Sequence, residues 1–323
     1  MRIFIAGASG ALGRRLVPQL VERGHEVVGM TRSPSKRDDL RALGARPAVA
    51  DALDAGAVRR AVAEAAPEAV VHQLTALSGE PDLRHFDRAF AATNRLRTEG
   101  TDHLLVAARE AGATRFVAQS YAGWPFARTG GPVKGEGEPL DPDPPHALRA
   151  TLDAIRHVEE AVTAIDWGAG LVLRYGGFYG PGTGVSLGPD ADTAAAVRAR
   201  RFPVVGAGGG VWSLVHIDDA ASATVAAVER GAPGIYQVVD DEPAPVRDWL
   251  PALAAALHAA PPRHLPRWVG RLAAGEALTV MMTEVRGASN AKAKRELGWR
   301  LRYPSWRQGF SEGLGDLTEA RAA

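Results

Sequence analysis

The chain has 323 residues, of which 46% are hydrophobic and 23% charged, enough for one large α/β domain or for a domain with a cap. Its 38 basic and 37 acidic residues give a net charge of +1, which does not support binding to nucleic acid or to an anionic membrane surface. The absence of cysteine excludes disulfides, a thiol nucleophile and a cysteine–zinc site. We find neither a signal peptide nor a bilayer-spanning apolar stretch, and we expect a cytoplasmic protein without a membrane partner.

The amino-terminal segment predicts a phosphate-binding turn. An apolar run at 1–6 leads directly into glycines spaced G-x-x-G-x-x-G, and a helix-like stretch follows from Arg14 to Arg23. Glycine permits a tight turn and a close backbone approach to a pyrophosphate, and the amide groups at a helix start attract the anion. We therefore predict a dinucleotide-binding protein. Its phosphate-binding residues are predicted to be Gly7, Ser9, Gly10, Ala11, Leu12 and Gly13.

Strand-like and helix-like segments alternate through the first half of the chain. The later predicted strands are 26–30, 47–50, 69–73, 115–119 and 171–174. The predicted helices between them include 55–66, 83–111 and 147–164. Apolar strands that alternate with helices are typical of a parallel sheet covered on both faces, so we expect an α/β fold with a Rossmann-type, doubly wound parallel sheet.

The pattern changes after residue 179. Segments 120–146 and 180–211 are rich in glycine and proline and are predicted to be long loops, while proline-punctuated helices follow from about residue 243. We predict a smaller C-terminal substrate-binding cap over the carboxyl ends of the strands, where α/β folds bind ligands. The predicted dinucleotide-binding domain comprises 1–179 and 211–240, and the predicted cap comprises 180–210 and 241–323.

The end of the second strand indicates which dinucleotide is bound. An acidic residue there would bind the ribose hydroxyls of NAD, but no carboxylate occurs before Asp38. Arg32, which follows Thr31, is suited to a bidentate pair with a 2′-phosphate, and Lys36 or Arg37 adds charge. This favours NADP(H) over NAD(H), although a solvated basic loop is the alternative. After the third strand, Asp51 and Ala52 are candidates for the adenine amino group, and Asp51 is equally consistent with a loop carboxylate.

The motifs resemble, in their order, the extended short-chain dehydrogenase/reductase family, also called the NAD-dependent epimerase/dehydratase family. After the glycine loop, the segments that carry this resemblance are 70–76, Asn94, 100–105, 173–175, 179–182, 215–219 and 296–299. The resemblance implies a homodimer formed through the helices at 83–111 and 147–164. It also implies nicotinamide-side cofactor contacts from Leu74, Thr75, Ala76, Asn94, Tyr175 and Gly176.

The helix after the fifth strand departs from that family. Members carry a catalytic Tyr, a Lys four residues later and usually a Glu four residues beyond. Aligning Glu159 with that Glu places Thr151 at the Tyr position and Ile155 at the Lys position. Residues 140–165 contain neither Tyr nor Lys, so the usual tyrosinate mechanism is missing from this sequence.

A second departure suggests a replacement. The fifth strand ends in Ser120-Tyr121, where the family has a pair of small hydroxyl residues, the second of them catalytic. We predict that Tyr121, assisted by Ser120 or a water, protonates a nascent alkoxide, if positive charge such as the oxidised nicotinamide brings the phenol pKa toward neutrality. The alternative is that Tyr121 only packs in the pocket wall.

A third departure concerns the substrate. Members that act on nucleotide-sugars hold the pyrophosphate with an Asn and an Arg, and Gly177 and Trp212 stand in those places here. We therefore predict a small, aromatic or polycyclic, non-nucleotide substrate, with some of the nearby aromatic residues belonging to the core instead. The predicted substrate-binding residues are Trp124, Phe178, Tyr179 and Trp212.

Other polar residues are given structural roles. The histidines show no metal-binding spacing, so no metal site is predicted. His216 is expected to be a hydrogen-bonded structural residue, and Asp218 or Asp219 is expected to cap a helix that runs from Ala220. Lys134 is expected to be a solvated loop lysine.

The leading functional hypothesis is an NADP(H)-dependent reductase that acts on a carbonyl or an unsaturated ring. One alternative is a non-redox epimerase, dehydratase or cyclase that keeps its cofactor bound. Another is a catalytically silent, NADP(H)-sensing binding protein, which the missing Tyr and Lys suggest.

Overall fold

The computed structural model describes residues 1–77, 86–188 and 191–315. The strands are β1 (Arg2–Ala6), β2 (Glu26–Thr31), β3 (Arg46–Val49), β4 (Ala69–His72), β5 (Arg115–Tyr121), β6 (Val133–Lys134), β7 (Ala169–Tyr175), β8 (Gly177–Tyr179), β9 (Val204–Val205), β10 (Val211–Trp212), β11 (Leu214–His216), β12 (Gly234–Val238), β13 (Ala244–Pro245), β14 (His264–Leu265) and β15 (Gly287–Ala288).

The helices in the described part of the chain are α1 (Ala11–Glu22), α2 (Arg37–Ala42), α3 (Ala55–Ala65), α4 (Phe86–Arg95), α5 (Thr101–Glu110), α6 (Arg149–Thr163), α7 (Asp192–Arg198), α8 (Ile217–Arg230), α9 (Val246–Ala256), α10 (Arg267–Thr283), α11 (Ala291–Leu297) and α12 (Trp306–Glu312).

A seven-stranded parallel sheet in the order β3-β2-β1-β4-β5-β7-β12 forms the centre of the molecule. This confirms the predicted doubly wound α/β fold. The chain runs outward in both directions from β1 and β4, so the order reverses between these two strands. Ligands of such sheets bind in the crevice at the carboxyl ends of the strands at this reversal point.

Both faces of the sheet are covered, which explains the continuous apolar runs of its strands. In β1, Ile3 and Ile5 pack in the cluster that includes residues of α1 and α8, whereas Phe4 packs on the opposite face with residues of α3, α5 and α6. All three side chains are fully buried, and the burial of each contributes about 2 kcal/mol. A parallel sheet between two helical layers follows from this composition.

The first three residues of the predicted helix at 83–111 lie outside the described residues. The rest of the predicted helix is interrupted. After α4, the chain makes a π-helical turn at Leu96–Gly100 and continues as α5. Turns of this type inside helices are frequent at functional sites. The turn packs against α6, which follows β5 in the fold.

A separate hydrophobic cluster lies in the C-terminal part, where α7, α9, α10 and α12 contribute buried side chains. The predicted long loop at 180–211 contains the helix α7 and the strand β9, which the sequence pattern did not indicate. Helix α10 is kinked at Gly275, whose backbone is non-helical.

Two structural predictions need correction. Lys134 is only 3% exposed and lies in β6, where its Nζ donates to Glu138 Oε2 at 2.6 Å and to Thr129 O at 2.8 Å, so it is not a solvated loop residue. Helix α8 begins at Ile217 and is capped by His216, whose Nδ1 accepts from the Asp218 N–H at 3.2 Å. Because Asp218 and Asp219 lie inside the first turn, neither is the cap residue.

Candidate active site

The glycine loop after β1 has a different requirement at each glycine. Gly7 has φ +95°, and a Cβ there would lie 2.6 Å from Gln73 O. A Cβ at Gly13 would lie 2.4 Å from Ala8 O, so this glycine lets α1 pack closely on the loop. At Gly10 only Gly7 O lies near, at 3.3 Å, which leaves room for a ligand to approach the backbone.

The amino end of α1 is open to an anion. Gly10 is its cap residue, no side chain caps the helix, and its first turn holds no acidic residue. The first amide groups of a helix have no partner within the helix and carry its positive dipole end. Together with the glycine geometry, this arrangement fits the diphosphate of a dinucleotide.

The loop after β2 presents an exposed cation, Arg32. Arg32 is exposed and makes no hydrogen bond or ion pair within the described residues. Lys36 lies 3.2 Å from the exposed Asp39, and Asp38 accepts from Arg41 at 2.7 Å. Thr31 Oγ1 accepts from Ser9 Oγ at 3.2 Å, which ties this loop to the glycine loop. The geometry is compatible with a 2′-phosphate at Arg32.

The other predicted cofactor residues follow β3 and β4. Asp51 Oδ1 accepts from the Leu53 N–H at 3.0 Å, while Ala52 is buried. Thr75 and Ala76 are exposed after β4, and the Ala76 N–H donates to Thr93 Oγ1 at 3.1 Å. The Leu74 carbonyl accepts from Gln119 Nε2 at 2.8 Å. These residues lie along the edge where the strands end.

Asn94 and Thr151 interact at the place where the family resemblance puts a tyrosine. Asn94 Nδ2 donates to Thr151 Oγ1 at 2.9 Å, and Thr151 is 1% exposed. Ile155, one helical turn on, is also buried. This face of α6 presents a satisfied hydroxyl and an apolar side chain, and neither is an acid or a base.

Ser120 belongs to a closed buried network. Its Oγ donates to Glu159 Oε1 at 2.7 Å, and Glu159 also pairs with Arg174 through bonds of 2.7 Å to Nε and 2.5 Å to Nη2. Neighbouring residues of a strand point to opposite faces, so Ser120 faces α6 while Tyr121 faces away. The predicted assistance of Tyr121 by Ser120 receives no support from this arrangement.

Tyr121 lies at the carboxyl end of β5 beside a positive charge. Burial raises the pKa of its phenol to about 12, and the nearby Arg97 guanidinium acts in the opposite direction. The phenol is therefore neutral at physiological pH. The lowering of this pKa by the oxidised nicotinamide, on which the predicted catalytic role of Tyr121 depends, stays a prediction.

A small, partly open pocket lies beside Tyr121. It is lined by Tyr121, Ala122, Gly123, Trp124, Val211, Trp212, Ser213, Met281 and Val285. Trp212 is held by a bond from its Nε1 to Met281 O at 2.7 Å. Of the residues predicted to contact the substrate, the structure brings Trp124 and Trp212 together here with Tyr121.

The other predicted aromatic residues lie elsewhere. Tyr179 is fully buried in the C-terminal cluster, its ring 5.3 Å from that of Phe310. Phe178 packs on the main core beside Tyr175. The Tyr175 hydroxyl lies 2.6 Å from Thr224 Oγ1, and Gly176 packs tightly because a Cβ there would lie 2.6 Å from Ser213 O.

Arg97, in the π-helical turn, is a candidate that the sequence argument missed. It is 9% exposed, and its Nη1 donates to Asn94 Oδ1 over a long 3.4 Å. Burial lowers its pKa to about 10, so it stays cationic at neutral pH. The sequence indicates Arg97 only through its spacing, because a residue three positions after Asn94 lies on the same helix face.

These features define a class of protein. A glycine-lined anion site at the reversal point of a doubly wound sheet, next to an aromatic pocket, is typical of enzymes that use a bound dinucleotide. The model of the NAD dependent epimerase/dehydratase family matches residues 3–238. The chain therefore belongs to that family.

Two curated relatives are similar over most of their length. The chain is 48% identical over 311 residues to a 3-diazoavenalumate denitrifying reductase from a Streptomyces species, a match that covers 96% of this chain and 99% of that protein. It is 31% identical over 277 residues to a 2-alkyl-3-oxoalkanoate reductase from Stenotrophomonas maltophilia, covering 80% and 76%.

Solved structures with low identity share the fold. A UDP-glucose 4-epimerase from Thermotoga maritima superimposes with a TM-score of 0.77 at 22% identity, covering 100% of this chain and 99% of that one. A human epimerase family protein with NADPH gives a TM-score of 0.72 at 21% identity, covering 98% of this chain and 100% of that one.

Within the described part of the chain, every helix is too short or too polar to cross a lipid bilayer.

Proposed function

We propose that this protein is an NADP(H)-dependent reductase that removes dinitrogen from a small, diazo-substituted aromatic acid. The observation that carries the proposal is the near full-length similarity to a denitrifying reductase whose named substrate bears a diazo group. An oxidoreductase is also consistent with the reductase name of the second relative. The side chains that line the pocket also favour this substrate class.

The proton donors in the pocket wall are weak acids. Its polar side chains are Tyr121 and Ser213, and Ser213 Oγ already accepts from the Ala288 N–H at 2.8 Å. The pKa of Tyr121, about 12, makes it a weak acid at neutral pH. A carbonyl reductase must protonate an alkoxide as hydride arrives. Reduction of a diazonium group needs no proton, so weak proton donors in the pocket wall are sufficient for it.

A bound reduced nicotinamide would supply the hydride for this chemistry. In the net reaction the carbon–nitrogen bond of the aryl diazonium breaks, and its electron pair leaves with dinitrogen. The hydride, with its own electron pair, becomes the new aryl carbon–hydrogen bond, so the substrate loses one positive charge and the oxidised cofactor gains it. No additional oxidant or reductant is required.

The side chains of the pocket then bind and orient the substrate and limit its contact with water. Trp124 and Trp212 offer faces for an aromatic ring, and such faces also attract a cationic diazo group. Met281 and Val285 add apolar side chains to this wall, which disfavours the water that would replace the diazo group by hydroxyl.

The preference for NADP(H) is part of the proposal and rests on Arg32. Its guanidinium is free within the described residues, and no carboxylate stands where NAD-binding sites bind the ribose hydroxyls. Substituting Arg32→Ala should weaken NADPH binding at least tenfold and leave NADH binding within about twofold. Equal losses for both cofactors would remove Arg32 from 2′-phosphate recognition.

The decisive experiment combines purified protein, NADPH deuterated at the hydride-donating carbon, and a freshly diazotised amino-hydroxycinnamate. We expect one dinitrogen released for each NADPH oxidised, with deuterium on the product ring. Reactions without protein measure spontaneous decomposition of the diazo compound. NADPH oxidation without dinitrogen release would contradict the proposal, and product formation without net NADPH consumption would favour the non-redox alternative.

A second candidate function is reduction of a ketone. The specific observations in its favour are the Tyr121 phenol in the pocket wall and the oxoalkanoate reductase among the relatives. A panel of aromatic ketones and 3-oxoacids, assayed with NADPH beside the diazo compound, compares the two functions directly. Ketone turnover with no dinitrogen release would establish the second candidate.

A further inference from the structure

Arg97 is a buried cation without a counter-ion among the residues that the structure describes. Only 9% of Arg97 is exposed, yet it forms no ion pair with any of the described residues. Its single hydrogen bond there is the 3.4 Å contact with the neutral Asn94 side chain. A guanidinium taken out of water normally has a carboxylate partner, because desolvation of a charge is costly.

The other deeply buried arginine of the site shows the usual arrangement. Arg174 is 3% exposed and makes two short bonds to Glu159, which also accepts from Ser120. The contrast with Arg97 is informative, because both side chains lie near the carboxyl ends of the central strands. Glu159 neutralises the charge of Arg174, whereas no carboxylate of the described residues neutralises that of Arg97.

The position of Arg97 directs its charge toward the candidate active site. Helix α5, which directly follows the π-helical turn that carries Arg97, is joined to the end of β4, where Thr101 Oγ1 lies 3.1 Å from His72 Nε2. The positive charge of Arg97 is felt by His72 and by Tyr121, which lines the pocket. Within the described residues, Arg97 Nε and Nη2 have no hydrogen-bond acceptor, so they keep free donor capacity.

We propose that Arg97 is a substrate-positioning residue that binds an anionic oxygen of the aromatic substrate, either a ring phenolate or the carboxylate. The pocket beside Tyr121 holds the ring, and the guanidinium anchors its charged end. This inference rests on the proposed function only in requiring an aromatic substrate with an acidic oxygen. If the anchored oxygen is a phenolate on the diazo-bearing ring, its bond to Arg97 draws electron density from the ring and makes the diazo group a better hydride acceptor.

The binding test needs no turnover. Calorimetry with the NADPH-loaded protein compares para-hydroxycinnamate with its methyl ester and its methyl ether. Loss of affinity for the ether alone assigns the ring oxygen, and loss for the ester alone assigns the carboxylate. The substitution Arg97→Met should weaken the anionic ligand at least tenfold and leave the corresponding neutral derivative within about twofold. If Arg97→Met weakens every ligand equally, or none, the inference is wrong.

Matched variants separate recognition from folding. Arg97→Lys keeps the charge and should recover part of the lost affinity, although without the guanidinium geometry. Arg95→Met, on the adjoining turn, removes an exposed arginine that is paired with Glu99 and should leave binding unchanged. NADPH affinity and thermal stability are measured for each variant, and an Arg97→Met effect explained by either one would overturn the assignment.

The kinetic test distinguishes this inference from the proposed function. With a diazotised amino-hydroxycinnamate, Arg97→Met should raise KM at least tenfold, with a smaller effect for the substrate that lacks the anchored oxygen. If the wild-type protein releases no dinitrogen but the calorimetric pattern holds, the proposed reaction fails and the anion site stands. If dinitrogen release is unaffected in Arg97→Met, the reaction stands and the anion site fails.

Discussion

Tyr121 is the residue at which the two candidate reactions make opposite predictions. Its phenol lines the pocket, and burial raises its pKa to about 12. If the substrate is a diazonium, Tyr121→Phe should leave turnover within about twofold, because no proton is transferred. If the substrate is a ketone, the same change should lower turnover at least tenfold. Steady-state rates with both substrate classes measure the difference.

The control for Tyr121→Phe is cofactor binding, which should be unchanged because the glycine loop lies on a different strand end. A parallel loss of NADPH affinity would indicate a disturbed site rather than a missing proton donor. A tenfold loss of diazo turnover with intact cofactor binding would contradict a proton-free mechanism.

Asp240 makes folding stability depend on pH. Burial raises its pKa to about 8. The unfolded chain releases this proton near its ordinary pKa of about 4, so between about pH 4 and about pH 8 the unfolded state binds fewer protons than the folded state. The stabilisation by the protonated carboxyl is therefore lost progressively as the pH rises through this window.

Asp240→Asn should reduce this decline while keeping the acceptor that Oδ1 offers to the Glu242 N–H. Urea unfolding of both proteins at several pH values measures it, and the advantage of the variant should grow from acid to mildly alkaline pH. Parallel pH profiles for the two proteins would show that Asp240 does not titrate as described.

Residue roles were predictable only where they depend on local sequence. The glycine positions follow from the strand–turn–helix pattern. Arg97 and Lys134 did not follow from the sequence, because whether a basic side chain is buried and paired depends on elements distant in the chain. The neutralisation of Arg174 by Glu159, and the lack of such a partner for Arg97 in the part of the chain that the structure describes, are properties of the tertiary structure alone.

At the scale of elements, the turn between β1 and α1 offers a matched pair of substitutions. Gly10→Ala adds a Cβ near only Gly7 O, at a residue with φ −77° that alanine adopts freely. It should lower NADPH affinity at least tenfold, because the methyl group occupies the ligand's approach, and leave stability within about 1 kcal/mol. Fluorescence titration and thermal melting give the two quantities.

Gly13→Ala should behave in the reverse order. Its Cβ would lie 2.4 Å from Ala8 O, so α1 or the loop must move, and we expect a loss of stability of about 2 kcal/mol or more. A stable Gly13→Ala protein, or a Gly10→Ala protein with normal NADPH affinity, would contradict the roles assigned to these glycines.

The strands were predicted more accurately than the irregular segments. Strands β1 to β5 and β7 were indicated to within two residues at each end, because both of their faces are buried and their sequences are continuously apolar. The π-helical turn between α4 and α5 left no mark on the helical pattern. Short elements such as β6 and β9 depend on pairing with distant strands and were predicted as loops.

At the scale of the whole molecule, sequence order determines much of the central sheet. Alternating strands and helices, with right-handed crossovers, lead to the observed arrangement around β1 and β4. The pocket is less predictable, because Trp124 and Trp212 meet residues of α10 and the segment after it only in the folded chain. Composition indicated an aromatic pocket, but tertiary packing decides which aromatic residues line it.

The last prediction concerns assembly. The family resemblance implies a two-fold dimer through the helices α4, α5 and α6, and Val106 on α5 is 50% exposed. Light scattering at micromolar concentration should give a dimeric mass for the wild-type chain. Val106→Glu should give a monomer, because a buried unpaired charge opposes association. Leu272→Glu, at a 77% exposed position on α10, is the matched control and should stay dimeric. A wild-type monomer, or a Val106→Glu dimer, would exclude this interface.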